Sequence, residues 1–143
     1  MATVNIYLSF DGTCEAAFNF YKSIFGGEFN YMGRFKDMPS PDQPIPDPEK
    51  DKIMHVGLPI SKETMLLGCD MPESMMEEKF VAGNNFSICI NTESVEESHR
   101  IFNALSTGGT ITMPLEKTFW SPLFGMVIDK FGISWMVDYM EPV

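Results

Sequence analysis

One feature constrains this chain more than any other: it lays out the same pattern twice. "TVNIYLSF" alternates, with Val4, Ile6 and Leu8 on one face and Thr3, Asn5, Tyr7 and Ser9 on the other, which predicts a half-buried strand. Cys14, Ala17, Phe18, Tyr21, Ile24 and Phe25 then recur at helical spacing, with Thr13 placed as N-cap and Gly26-Gly27 as the stop. Strands are predicted over "EFNYMGRF", "KIMHVGLPI" and "ETMLLGCD". The plan restarts at "NFSICIN", where Phe86, Ile88 and Ile90 alternate with Asn85, Ser87 and Cys89. A capping box, Ser94 to Glu97, opens a helix with Val95, Ser98, Phe102 and Leu105 on its apolar stripe, and Gly108-Gly109 close it. Strands "TITMPLE", "FGMVID" and "ISWMVDYM" follow. Leu8 and Gly27 correspond to Ile90 and Gly109 at one constant offset of 82, and the helix stripes match one residue closer. The order β-α-β-β-β therefore occurs twice, as a duplication of pattern rather than of residue identity.

This order predicts an α+β fold: two tandem β-α-β-β-β modules forming a curved, partly open barrel-like sheet with the helices outside. The 143 residues, 44% hydrophobic, suffice for one core, so a single domain 1–143 is expected. Module one covers about 1–70, a linker about 71–83, and module two about 84–143. Residues 37–50, "DMPSPDQPIPDPEK", hold five prolines and read as an exposed loop or flap. The second long connection, "MPESMMEEKFVAGNN", carries methionines suited to covering a pocket mouth.

Strand alternation also locates a site. In each module one sheet face must cover its helix, and Val4, Ile6, Leu8, Met54, Val56, Phe86, Ile88, Ile90, Trp135 and Val137 are assigned to that duty. The opposite faces carry Thr3, Asn5 and Tyr7; Asn85, Ser87 and Cys89; Ser134, Met136 and Asp138; and His55 with Gly57. A concave face with scattered polar groups and aromatic walls suits a small ligand, the alternative being a wet or plugged interior with none. His55 is the candidate general base, because imidazole titrates near neutrality; the other reading is a hydrogen-bonded interior histidine. Asp138 is placed either to orient His55 or a ligand amine, or in solvent. Phe119 and Trp120 sit at a turn, where a costly aromatic pair either lines the pocket mouth or meets another subunit. Trp135 is assigned to core, His99 to the helix surface, and the three cysteines, Cys14, Cys69 and Cys89, to buried apolar positions.

Composition narrows the partners. A formal net charge of -10 disfavours nucleic acid and anionic membrane surfaces. No apolar run approaches the roughly 20 residues of a membrane helix, and "MATVNIYLSFDG" has no basic leader pattern, so a cytoplasmic protein is expected. Phe119, Trp120, Leu123 and Phe124 flank one turn stiffened by Pro122, and so much apolar surface predicts a homodimer.

The duplicated plan, together with "YLSFDGTCEAAFNFYKSIFGG", "DKIMHVGLPI" and "GGTITMPLEKTFWSPLFGMVIDKFGISWMVD", resembles the vicinal oxygen chelate superfamily of glyoxalase I, bleomycin-resistance proteins and extradiol dioxygenases. The "TFW…FG…DKFG…WM" sequence is similar to its PhnB-like branch, which bears a demethylubiquinone methyltransferase-like label. The superfamily's chemistry usually needs a divalent metal held by His, Gln or Glu. Carried over by strand register, the ligand positions are Thr3, Leu67, Asn85 and Met136, which are poor ligands for such ions, so no metal cofactor is expected. No glycine-rich strand-to-helix turn is present to hold S-adenosylmethionine. The resemblance implies a small-molecule binding protein or metal-independent enzyme. The alternatives are a drug- or metabolite-sequestering homodimer without chemistry, and a metal-dependent lyase, isomerase or dioxygenase using His55, Asp138 and Glu116.

Overall fold

A computed structural model describes residues 1–37 and 45–141; residues 38–44, half of the proline-rich stretch read as a loop or flap, lie outside the described residues. The chain divides into two compact units, Met1–Val81 and Ala82–Val143. In the first, β1 (Ile6–Phe10), α1 (Cys14–Phe25), β2 (Tyr31–Arg34), β3 (Ile53–Pro59) and β4 (Met65–Asp70) form a four-stranded sheet of order β1-β4-β3-β2 with one helix. In the second, β5 (Ile88–Thr92), α2 (Val95–Ser106), β6 (Thr110–Glu116), β7 (Phe124–Ile128) and β8 (Ser134–Tyr139) repeat it in the order β5-β8-β7-β6. Both sheets are mixed and open. The first strand runs parallel to the last of its unit, and the other pairs are antiparallel. The duplication extends to the register: Ile6 lies opposite Leu66 and Ile88 opposite Trp135, each at the start of its parallel ladder.

Each helix packs on one sheet face through an aromatic ring set into a glycine. A Cβ on Gly68 would collide with the Phe18 ring, and one on Gly125 with the Phe102 ring. The faces beneath are closed cores: Leu8, Phe10, Val56, Leu58 and Leu66 in the first unit, and Ile88, Val127, Trp135 and Val137 in the second. Val4 and Phe86 do not join them. They stand 83% and 58% exposed, because the ladders begin two residues later than the alternation suggested, at Ile6 and Ile88. Phe10 and Thr92, at the far ends of the same strands, are buried. Met54 is likewise corrected. Gly33 pairs with His55 and Arg34 with Ile53, so Met54 is the extra residue of a bulge, and Ile53 rather than Met54 is buried with Val56. Val95, assigned to the α2 stripe, is exposed, and Ile101 completes that stripe.

The caps divide in the same way. Ser94 Oγ accepts the Glu97 N–H at 3.0 Å, while Glu97 Oε1 accepts from Glu93 N at 3.1 Å, one residue earlier than the usual capping box. Thr13 occupies the N-cap position but makes no side-chain cap bond. A distant carboxylate does this work. Asp70, at the end of β4, accepts from Cys14 N at 3.0 Å through Oδ1 and from Ile53 N at 2.9 Å through Oδ2. One buried side chain thereby joins the helix start to the start of β3. In the second unit the buried Asp129 accepts from Phe131 N, Ile133 N and Trp135 Nε1 at 2.8, 3.1 and 2.8 Å, which closes the "DKFG" turn and satisfies the indole of a fully buried tryptophan.

Removing the Asp70 carboxylate leaves two buried N–H donors without it. Asp70→Ala is expected to lower unfolding free energy by about 2–4 kcal/mol, measured by urea denaturation. A loss below about 0.5 kcal/mol, the range of ordinary surface substitutions, would contradict this role.

Candidate functional site

The face of the first sheet that α1 leaves uncovered holds a cluster. Tyr7 on β1, Leu67 on β4, Gly57 on β3 and Tyr31 on β2 lie in one cross-strand row. His55 lies two residues along β3 from Gly57, opposite Gly33. Two glycines shape this surface. A Cβ on Gly33 would strike the Tyr31 ring, so Tyr31 can fold back along its own strand. A Cβ on Gly57 would strike Asn30 and Met65, which pack over it, with Asn30 Nδ2 3.4 Å from Met65 Sδ.

The two tyrosine rings flank His55, with centroids 5.9 Å (Tyr7) and 5.8 Å (Tyr31) from the imidazole. The Tyr7 hydroxyl is 3.4 Å from His55 Nδ1, a long hydrogen bond. Burial, followed by the neighbouring Cys69 thiol, pushes the Tyr7 phenol up to about 12. Tyr7 therefore stays protonated near neutral pH and can donate to Nδ1, which leaves the proton of a neutral imidazole on Nε2. Nε2 makes no hydrogen bond among the described residues. Cys69 Sγ stands 4.0 Å from Met71 Sδ at the edge of the cluster. The arrangement can present an oriented imidazole between two aromatic walls, which suits proton transfer or hydrogen bonding to a flat, polar ligand.

The other sequence-derived residues are distributed around this cluster and the second unit. Asn5 precedes β1, and its Oδ1 accepts from Met65 N at 3.1 Å, serving strand pairing. Asn85 and Ser87 precede β5, whereas Cys89 lies on β5 opposite Met136 of β8. Cys89 is exposed, against its assignment to core; Cys69 is half-buried, and only Cys14 is fully buried, its thiol pushed up by burial and the nearby Asp70. Asp138 accepts from Ser121 Oγ at 2.6 Å, tying β8 to the loop before β7. That loop carries Phe119 and Trp120, packed edge to face at 4.7 Å, with Trp120 in turn 5.4 Å from Phe124. Phe119 is 97% exposed and Trp120 50%. Both line a pocket of about 410 Å³ with Lys117, Thr118, Ser121, Pro122 and Glu141. His99 is exposed on α2. Tyr31 and Ser121 were missed from sequence. Tyr31 had a usable signal, since it alternates with Gly33 in "NYMGRF"; Ser121 had none.

The four positions assigned to metal ligands do not fit a divalent ion. Thr3 and Asn85 are exposed and precede their strands, and the residues actually opposite Leu67 and Met136 are Tyr7 and Cys89. An alcohol, an amide, an alkyl chain and a thioether make a poor donor set for zinc, iron, nickel or manganese. Among the described residues, no three His, Cys, Asp or Glu side chains are grouped to hold a metal. Among the same residues, no helix is long and apolar enough to cross a membrane.

The family model described as 3-demethylubiquinone-9 3-methyltransferase matches residues 2–138. Protein YjdN of Escherichia coli (strain K12) is 30% identical over 145 residues, spanning 94% of this chain and 93% of YjdN. Protein PA1353 of Pseudomonas aeruginosa, known from a crystal structure, is 37% identical with a TM-score of 0.85, covering 99% of this chain and 100% of its own. The PhnB protein of Bacillus cereus is 26% identical with a TM-score of 0.76, covering 97% of this chain and 100% of its own. With the family model spanning nearly the whole chain and both β-α-β-β-β units in place, the chain belongs to the family described as 3-demethylubiquinone-9 3-methyltransferase.

Proposed function

We propose that the chain is a cytoplasmic small-molecule binding protein or metal-independent enzyme, and that its ligand meets the open face of the first sheet. The observation that carries this reading is the Tyr7–His55–Tyr31 cluster. His55 acts there as a hydrogen-bond donor through Nε2–H, whereas the general-base role expected from sequence would need the opposite tautomer, with Nδ1–H donating to the Tyr7 oxygen. Tyr7 holds its tautomer, and the two rings favour a compact, partly aromatic ligand. The donor chemistry at Thr3, Leu67, Asn85 and Met136 supports a reaction or binding event that does without a divalent metal. Methyl transfer, which the family's description names, finds little support here. α1 follows "DGT" and α2 follows "ES", and neither is a glycine-rich turn that would cradle a nucleoside.

A panel of small aromatic acids and amides, screened by ligand-observed NMR, tests the site. His55→Ala is expected to weaken any hit about tenfold or more, equivalent to about 1.4 kcal/mol, while costing only about 1–2 kcal/mol of stability. Unchanged affinity in His55→Ala would remove His55 from the site. Collapse of thermal stability without a ligand effect would make it a structural residue.

The same reading includes a homodimer, supported by the exposed Phe119–Trp120 pair. Light scattering at micromolar concentration and ordinary salt is expected to give twice the chain mass, with Trp120→Ala shifted toward monomer. A monomer mass for both proteins would exclude it.

A further inference from the structure

The second sheet carries a different chemistry on the face that α2 leaves uncovered. Cys89 pairs with Met136, Met136 with Met126, and Met126 with Met113. Four sulfur side chains thus form one row across all four strands. The corresponding row of the first sheet, in the same strand order, is Tyr7, Leu67, Gly57 and Tyr31. The duplicated scaffold has placed aromatic groups at one face and sulfur at the other.

The geometry of a row matters. Directly opposed residues of an antiparallel pair, such as Met126 and Met136, hold their Cβ atoms about 4.5–5.5 Å apart on one face, and Cys89 stands one strand spacing of about 4.8 Å from Met136 across the parallel pair. Methionine is unbranched and flexible, so the sulfurs of Met126 and Met136 can converge with the Cys89 thiol above β8 once that thiol turns from its weak 3.9 Å contact with Asn91 Oδ1. Cys89 is exposed and the three methionines are half-buried, so the row is accessible to a solute. Leucine or valine would cover a sheet as well as methionine does. What thiol and thioether add is soft donor character, which favours Cu(I) over magnesium, calcium or manganese. The next row along the same strands, Asn91, Asp138, Phe124 and Glu116, offers no competing hard-ion cage at Asp138, whose Oδ1 already receives the Ser121 hydroxyl.

We propose that Cys89, Met136 and Met126 form a binding site for one soft monovalent cation, Cu(I), on the second unit. Met113 closes the row at the edge strand. On binding, the Cys89 S–H bond breaks, its proton passes to solvent, and the thiolate takes the metal; copper stays in the +1 state throughout. The site lies on a different sheet from His55 and does not depend on the ligand reading of the first unit.

The test is an anaerobic titration of the reduced protein with Cu(I) held by bicinchoninate, with ¹³C-methyl methionine spectra recorded alongside. The protein is expected to withdraw about one Cu(I) per chain, with shifts at the Met126 and Met136 methyls and no displacement by a roughly tenfold excess of Zn(II). The double variant Met126→Leu with Met136→Leu keeps bulk and apolarity and is expected to bind at least about tenfold more weakly. Cys89→Ser is expected to fall between. Absence of copper uptake would overturn the proposal. So would equal affinity in the double variant, or methyl shifts confined to Met71, which would assign the metal to the Cys69–Met71 pair. Should the double variant fail to fold, the methyl shifts of the parent protein decide the matter.

Discussion

The parallel pairing of the first and last strand in each unit is the constraint on which everything else depends. A parallel pair cannot be closed by a hairpin, so the chain between β1 and β4, and between β5 and β8, must cross over and supply the rest of the sheet and its helix. That pairing sets the register, and the register decides which side chains meet. Leu8 opposite Gly68 makes room for the Phe18 ring on the helix side. Tyr7 opposite Leu67 places the phenol on the open side, within reach of His55. A slip of one residue would exchange the two faces and bury the tyrosine under the helix.

Two buried carboxylates reinforce this frame from different positions. Asp70 ends β4 and binds backbone donors of α1 and β3. Asp129 follows β7 and binds the turn and the Trp135 indole. The units share strand order and register while anchoring their cores at different strands. Their open faces have diverged in the same way, with tyrosine and histidine on one and cysteine and methionine on the other.

Much of this was legible in the sequence because it rests on local periodicity. The duplicated element order, the offset of 82 between Leu8 and Ile90, the capping serine at 94 and the burial of Trp135 all follow from alternation or short-range hydrogen bonding. What periodicity could not show depends on partners far along the chain. Val4 and Phe86 fit the apolar alternation, but only residues opposite a neighbouring strand are covered. Met54 broke the pattern because a bulge is defined by its partner strand. Thr13 lost the capping role to Asp70, 57 residues away in sequence. Tyr31 joined the candidate site through Gly33 and Gly57, whose missing side chains are informative only once the strands are paired.

The functional account turns on how Tyr7 holds His55. A phenol raised to about 12 keeps its proton, and where it donates that O–H to Nδ1 the neutral imidazole carries its own proton on Nε2, the nitrogen offered to a ligand. Long-range ¹H–¹⁵N correlation of the histidine side chains above the pKa of free imidazole reads this tautomer directly. The account predicts the Nε2–H form for His55, with that preference weakened in Tyr7→Phe. An Nδ1–H tautomer, or one indifferent to Tyr7→Phe, would contradict it.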